Sequence, residues 1–203
     1  MDSINAPWIR KEAIYARAEA LLDKHGLGDD PVEADYILET VFGAEIVVAE
    51  DLFRTTSVHA FVAGGCKQVF VDYETTVRDP AWYNYSLAHE VGHLVLHPQV
   101  FEAATHKTRA EFDAFRRKIG QDTYSKLEQQ AHLFAGALIA PAQLLERTAD
   151  EVIATVRSHG IELTPMLDVD WPIIFREIGR RLNVNDRTIA YRMEDLGIYR
   201  KYI

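Results

Sequence analysis

Cysteine and long hydrophobic runs are nearly absent from this sequence, and each absence excludes a class of protein. The single cysteine, Cys66, has no partner for an internal disulfide, which favours a reducing compartment. No apolar stretch approaches the ~20 residues that a membrane-spanning helix needs, so we expect no membrane partner. Residues 1–5 lack the basic start and apolar core of a secretory signal. These absences predict a cytoplasmic protein.

Positive charge is scarce as well. The chain has 22 Lys and Arg residues against 31 Asp and Glu residues, which gives a net charge of −9. This balance argues against a chain-wide nucleic-acid surface, because phosphate contacts need clustered Lys and Arg. Residues 171–203 are an exception, since seven Lys and Arg against four acids leave a local charge of +3. Such a small excess makes DNA binding by this segment the less favoured interpretation.

The pattern H-E-x-x-H, from His89 to His93, predicts a metal site. Asp79 predicts an N-cap, and Pro80 the first residue, of a helix that contains the motif. Residues four apart lie on one helix face, so both histidines can reach one Zn²⁺ at about 2.0–2.1 Å. Glu90 can then act as general base toward a water on the metal. The alternative is an exposed helix that carries two histidines by chance.

A zinc site of this kind needs a third protein ligand. Geometry excludes His97, which lies eight residues after His89, about 12 Å along the axis, and is expected to orient a ligand or to bond the last helical carbonyls. Glu128 is the best candidate, on a second helix that Asp122 would cap. The alternative is that Glu128 is a solvated charge. His132, one turn later, is an orienting partner, a transition-state donor or an ordinary surface histidine.

The N-terminal segments predict helices. Together with the small sheet predicted after them, they make the fold class α+β and mainly helical. Residues 7–25 form an amphipathic helix with Trp8 facing inward and Gly26 as its stop. A second helix is expected from a cap at Asp30 to about Phe42.

A small antiparallel sheet is expected before the motif helix. Short runs rich in Val, Ile and Phe at residues 44–50, 58–62 and 68–72 predict its strands, and Gly64 and Gly65 predict a hairpin between the last two. An edge strand of this sheet could align an extended substrate over the cleft, and any of the strands could form that edge.

Helices are predicted again after the motif. Residues 98–121 suggest a charged helix that either borders the cleft or is a plain insertion, and residues 142–158 suggest another helix. We predict a catalytic domain over residues 1–160 and a small helical segment over residues 161–203.

That C-terminal segment looks like a helix-turn-helix. Two helical patterns are separated by a short turn at residues 183–185. Arg187 and Arg192, on the second helix, could reach DNA. The alternative is that both helices pack on the catalytic unit and recognise a protein.

Two segments in tandem resemble the ImmA/IrrE metallopeptidases. The first is YSLAHEVGHLVLH at residues 85–97, and the second is the stretch from residue 128 to residue 141 that ends in Leu-Ile-Ala-Pro. Two positions depart from the family pattern: His132 stands where Asn is frequent, and Ala140 where a larger apolar residue is usual.

The resemblance implies a zincin-like fold and a zinc peptidase whose substrates are helix-turn-helix repressors. The zinc ligands that it implies are His89, His93 and Glu128, with Glu90 as the catalytic base. We therefore predict a zinc-dependent endopeptidase that cleaves a helix-turn-helix repressor or an antitoxin-like partner. His132 and Tyr85 are candidates for stabilising the oxyanion. The alternative is a non-cleaving regulator that binds a partner protein or DNA, with the metal structural or absent.

Overall fold

The computed structural model describes residues 8–102, 104, 106–160, 163 and 171–202. This part of the chain is mainly helical, with one small sheet. In chain order the elements are α1 (Lys11–His25), α2 (Ala34–Tyr36) continued by a π-helix (Ile37–Val41), β1 (Glu45–Ala49), α3 (Leu52–Thr56), β2 (Ala60–Val62), β3 (Gln68–Asp72), α4 (Tyr73–Arg78), α5 (Pro80–Leu96), α6 (Pro98–Glu102), α7 (Arg109–Ile119), α8 (Gln121–Ile139), α9 (Ala142–Ser158), α10 (Trp171–Leu182), α11 (Asp186–Asp195) and a 3₁₀ turn (Ile198–Lys201). The α+β class is confirmed. Of these described helices, none is both long and apolar enough to cross a membrane.

The first helix begins later than predicted, because Arg10 before it has an extended backbone. Trp8 therefore precedes the helix, and the prediction that it faces the core is wrong: 61% of its surface is exposed. The buried residues of α1 are Ile14, Ala18 and Leu22. Gly26 ends the helix with φ of 66°, a conformation that favours glycine.

The second helix is also shorter than predicted, since it starts at Ala34 and not at a cap on Asp30. The reason is the buried Asn84 of α5. Its side-chain oxygen accepts from the Ala34 amide at 2.8 Å, and its Nδ2 donates to the Val32 carbonyl at 2.9 Å. A long-range contact therefore fixes where this helix begins, and the local cap signal is overridden.

The sheet is mixed, so the prediction of a wholly antiparallel sheet is wrong in one pairing. The strand order is β1-β3-β2. The hairpin of β2 and β3 is antiparallel as predicted, with Ala60 opposite Val71. β1 and β3 are parallel, with Glu45 beside Gln68, because β3 lies between two strands that run in opposite directions. This order leaves β1 and β2 at the two edges of the sheet.

The helices α5 and α8 pack side by side and form the centre of the molecule. Asp79 caps α5 by accepting from the Trp82 amide at 3.0 Å, and Pro80 opens the helix, as predicted. The predicted cap at Asp122 is wrong, because α8 already begins at Gln121. A Cβ atom on Gly92 would lie 3.1 Å from the Cα and O atoms of Ala131. Only a glycine allows the two backbones to approach this closely.

The C-terminal segment contains the two helices and short turn that the sequence predicted. Asn185 caps α11 by accepting from the Thr188 amide at 2.9 Å. Both helices join the same hydrophobic cluster as α1, α5 and α8. The predicted boundary between residues 160 and 161 stays a prediction, and residues 161, 162 and 164–170 lie outside the described part of the chain.

The prediction that Arg192 could reach DNA is wrong. Only 2% of its surface is exposed, its guanidinium lies 4.5 Å from the centre of the Tyr15 ring, and its Nε donates to the Ala140 carbonyl at 3.3 Å. The apolar stem and planar head of arginine suit such a packed position. Arg187, in contrast, is exposed on α11.

Candidate metal centre

Three predicted ligand residues meet between α5 and α8. His89 and His93 are buried on one face of α5, and their Nε2 atoms are 3.1 Å apart. Glu128 of α8 faces both: its carboxylate oxygens lie 3.4 Å from the His89 Nε2 and 3.2 Å from the His93 Nε2. Among the described residues, these three form the group of side chains able to hold a metal ion together.

The spacing of these donor atoms fits a tetrahedral zinc ion. Two ligands that bind one zinc at 2.0–2.1 Å with tetrahedral angles stand about 3.3 Å from each other. The two imidazole nitrogens are 3.1 Å apart, and each lies 3.2 or 3.4 Å from a different oxygen of the Glu128 carboxylate, so each of these pairs is close to this value. Two imidazoles and one carboxylate are also a ligand set that zinc hydrolases use, with the fourth position left open. The residues present therefore fit the metal that the resemblance implies.

The electrostatics of the site favour an ionised Glu128. Burial would raise the pKa of this carboxyl, but its hydrogen bonds with His89 and His93 outweigh burial and hold the pKa far below its usual range. Burial would lower the pKa of His89, and the adjacent Glu128 reverses this and raises it. A partly buried, ionised carboxylate that faces two imidazole nitrogens is a suitable setting for a cation.

Glu90 lies beside the ligands on the sheet side of α5. It is 4% exposed, and burial raises the pKa of its carboxyl. Its Oε2 accepts from the Val62 amide of β2 at 2.8 Å. This bond fixes the carboxyl against the strand, and the raised pKa brings it nearer to the value that a general base needs at neutral pH.

His97 orients His93, as one of its two predicted roles requires. The His97 Nε2 donates to the Gln130 side-chain oxygen at 2.9 Å, which leaves the His97 Nδ1 as an acceptor. The His93 Nδ1 then donates to it at 3.1 Å. This order of donors places the lone pair of His93 on Nε2, the atom that faces Glu128. Gln130 was not singled out in the sequence, although it lies two residues after Glu128.

His132 occupies the corresponding position beside His89. Its Nδ1 lies 3.2 Å from the His89 Nδ1 and 2.9 Å from the Tyr85 hydroxyl, so two donors share one acceptor. Although part of the His132 surface is exposed, burial of the ring nitrogens lowers its pKa to about 4, and this keeps the ring neutral and accepting. Burial, with Glu128 nearby, raises the pKa of Tyr85 to about 12. Of the three interpretations of His132, the structure favours the orienting partner.

A cavity of about 260 Å³ opens over these residues. Its walls are the edge strand β2, the first turns of α5, and Phe101 and Phe112 from α6 and α7. Residues 98–121 were predicted to contain one helix but contain two, α6 and α7, and both border the cleft. Two residues of this cavity were missed in the sequence. Tyr124 is bonded to Glu128, and its position one turn before Glu128 was a usable signal. His59 reaches the wall from the residue just before β2, and no local pattern marks it.

The edge strand that borders the cavity is β2, so β2 is the strand that could align an extended substrate. The two residues that flank β2, His59 and Ala63, form backbone hydrogen bonds with β3. The backbone N–H and C=O groups of Ala60 and Val62 therefore point toward the free edge of the sheet. The Val62 amide is held by Glu90, and its carbonyl accepts from the His106 Nε2 at 2.7 Å. The backbone of Ala60 therefore faces the cavity at the place where a substrate strand could pair.

Comparison with known proteins agrees with this arrangement. The sequence model of a peptidase family, described as the IrrE N-terminal-like domain, matches residues 76–194, which include α5, α8 and the C-terminal helices. No curated protein matches the chain. Among solved structures, a Mycobacterium tuberculosis transcriptional regulator is similar in fold, with a TM-score of 0.56 and 16% identity. The match covers 90% of this chain and 46% of that one, so this chain spans less than half of the regulator's length.

Proposed function

The chain belongs to the IrrE N-terminal-like peptidase family, and on this premise we propose that it is a zinc-dependent endopeptidase acting on a protein partner. The observation that carries the proposal is the convergence of the two histidine Nε2 atoms and the Glu128 carboxylate at 3.1–3.4 Å, with Glu90 beside them. His89, His93 and Glu128 would hold the metal.

Zinc in this site supplies a Lewis acid that polarises a carbonyl group and lowers the pKa of water. Glu90 takes the proton of the attacking water and passes it to the leaving amine. Its buried position and raised pKa suit both halves of this transfer. His97 and His132 keep the two imidazoles turned so that each Nε2 faces Glu128.

The remaining groups of the cavity bind and orient the substrate. Ala60 on the edge strand offers its backbone to an extended peptide, which aligns the scissile bond along the cavity. Tyr85 and Tyr124 line the same cavity with hydroxyl groups that bond to His132 and Glu128, and either hydroxyl would donate to the developing oxyanion by turning from that partner.

The partner that we propose is a helix-turn-helix repressor or an antitoxin-like regulator. Support comes from the resemblance of residues 85–97 and 128–141 to the repressor-cleaving peptidases, and from a fold shared with a protein described as a transcriptional regulator. Cleavage of such a partner would take place in the cytoplasm.

Elemental analysis of protein purified without a metal-affinity tag tests the metal. We expect about one zinc per chain in the wild type and in Lys126→Ala, an exposed control on the same helix, and a strong loss in Glu128→Ala. Absence of zinc in the wild type after zinc is supplied would contradict the proposal.

Cleavage is tested with purified helix-turn-helix repressors encoded beside this chain. The Glu90→Gln variant should keep its zinc and lose cleavage by about 10²-fold or more, because only the proton acceptor is removed. Undiminished cleavage by this variant would exclude Glu90 as the base.

A further inference from the structure

A second cavity, of about 700 Å³, continues from the metal centre along α8 to the C-terminal helix α11. We call it the α8 groove. Tyr85, Glu128 and His132 line both cavities, so the groove and the catalytic cavity are connected. The floor of the groove is the face of α8 from Gln121 to Gly136. From residue 121 to residue 136 the helix rises about 22 Å, a length that about seven residues of extended peptide would cover.

The far end of the α8 groove is formed by α11 and carries an exposed arginine. Arg187, Thr188 and Tyr191 lie on the face of α11 that lines the groove. Tyr191 is 49% exposed, so an aromatic ring is available at the entrance. The groove therefore combines an apolar surface with two positive charges, Arg187 at this end and Arg116 over the Tyr124 ring at the other, a pattern that suits a peptide with a carboxylate side chain.

Arg187 differs from Arg180, Arg181 and Arg192 of the C-terminal segment, and unlike the exposed Arg176 it lines the groove. Arg180 and Arg181 both donate to Glu177, and Arg192 is buried against Tyr15. Among the described residues, no carboxylate lies within 4.0 Å of the Arg187 guanidinium. A planar guanidinium without such a neighbour can bind the carboxylate of a ligand through two parallel hydrogen bonds.

We propose that the α8 groove binds the segment of the substrate that adjoins the scissile bond, and that Arg187 binds an Asp or Glu side chain of that segment. This inference rests on the proposed peptidase function. Glu128 at the metal centre and Gly136 beneath Thr188 are eight residues apart, about 12 Å along α8. The acidic side chain therefore lies three to four residues from the cleaved bond, at about 3.3 Å per extended residue.

A protein segment is favoured over nucleic acid as the occupant. The groove has aromatic and amide side chains but few positive ones, and the chain as a whole carries a charge of −9. Binding of a phosphate backbone needs several neutralising cations in a row. The second helix of the helix-turn-helix-like segment thus serves as a wall for the substrate.

The test selects peptides from a random-sequence library that bind the zinc-loaded, full-length Glu90→Gln variant. The Arg187→Glu change is then added, and affinities are measured by fluorescence anisotropy at two salt concentrations. The matched control is Arg176→Glu, which makes the same change of charge on an exposed residue of α10 that does not line the groove.

We expect selected peptides to carry Asp or Glu at one fixed position. Arg187→Ala should weaken their binding by about two- to fivefold and Arg187→Glu by more, with a smaller effect at high salt. A Lys at the fixed position of the peptide should restore binding to Arg187→Glu. Equal effects of the Arg187→Glu and Arg176→Glu changes, a library without an acidic position, or preferential binding of a DNA duplex would each overturn the proposal.

The same peptides separate this inference from the peptidase function. If wild-type enzyme binds acidic peptides through Arg187 but cleaves none of them, the groove stands and the endopeptidase proposal fails. If it cleaves peptides without any acidic preference, the endopeptidase stands and the role of Arg187 is refuted.

Discussion

Replacement of Gly92 by alanine should weaken zinc binding without touching any metal ligand. Gly92 lies between Glu90 and the second histidine of the motif, where α5 packs against α8. A Cβ atom there would be 3.1 Å from the Cα and O atoms of Ala131 and 3.3 Å from the Cβ of Phe134. These neighbours belong to a helix backbone and a buried side chain, so the two helices must separate by a few tenths of an ångström.

Two opposing effects set the magnitude of this change. Alanine in place of glycine inside a helix stabilises by up to about 1 kcal/mol. Overpacking a dense interior destabilises by about 1–3 kcal/mol. We therefore expect Gly92→Ala to reduce the free energy of unfolding by up to about 2 kcal/mol. Zinc ligands tolerate displacements of only about 0.2 Å, so zinc affinity should fall by about tenfold or more.

The assay compares Gly92→Ala with Gly136→Ala. Gly136 is also helical, but a Cβ atom there would meet only ordinary contacts, the nearest being the Arg192 Cδ at 3.5 Å. This control should be as stable as the wild type or more stable, with unchanged zinc affinity. Zinc affinity is measured by competition with a chromophoric chelator, and stability by urea unfolding of the metal-free protein.

One result would refute the reasoning. If Gly92→Ala gains stability as Gly136→Ala does and binds zinc as tightly as the wild type, the close approach of α5 and α8 does not determine the geometry of the site.

Two further predictions concern buried residues outside the ligand set. Burial lowers the pKa of His106, which is 3% exposed, so the folded chain keeps the ring neutral while the unfolded chain takes up a proton below pH about 6.5. The free energy of unfolding should therefore fall between pH 7 and pH 5, by up to about 1.4 kcal/mol per pH unit from this group. In His106→Phe this fall should be less steep. Equal dependence of the free energy of unfolding on pH in the two proteins, measured by urea unfolding, would contradict this prediction. Arg192→Met should lower the free energy of unfolding by about 1–3 kcal/mol, through lost packing on Tyr15 and a lost bond to Ala140. An equally stable variant would contradict its buried role.

Elements with strong local signals were predicted well from the sequence. Asp79 and Pro80 marked the start of α5, and α9 has the predicted bounds. The hairpin of β2 and β3 turns at the predicted glycine pair. In each case the deciding interactions lie within a few residues along the chain, so the local sequence contains them.

Three of the failures share one cause, a contact between distant segments. Asn84 sets the start of α2 from fifty residues away, and Arg192 is buried because Tyr15 and Ala140 surround it. The direction of β1 was misjudged because strand order depends on which strand takes the central position. Neither periodicity nor cap residues report on such pairings.

The sequence by itself determined which residues form the candidate metal centre. The placement of His89 and His93 on one helix face follows from helix geometry alone, and a glutamate on a second helix of small residues was the candidate for a third ligand. Only the tertiary structure decided how those residues are held: it brought Glu128 within 3.4 Å of both imidazoles, set the Val62 amide on Glu90, and laid α11 along the groove. These relations join segments far apart in the chain, and the packing of α5 against α8 and β2 is what creates them.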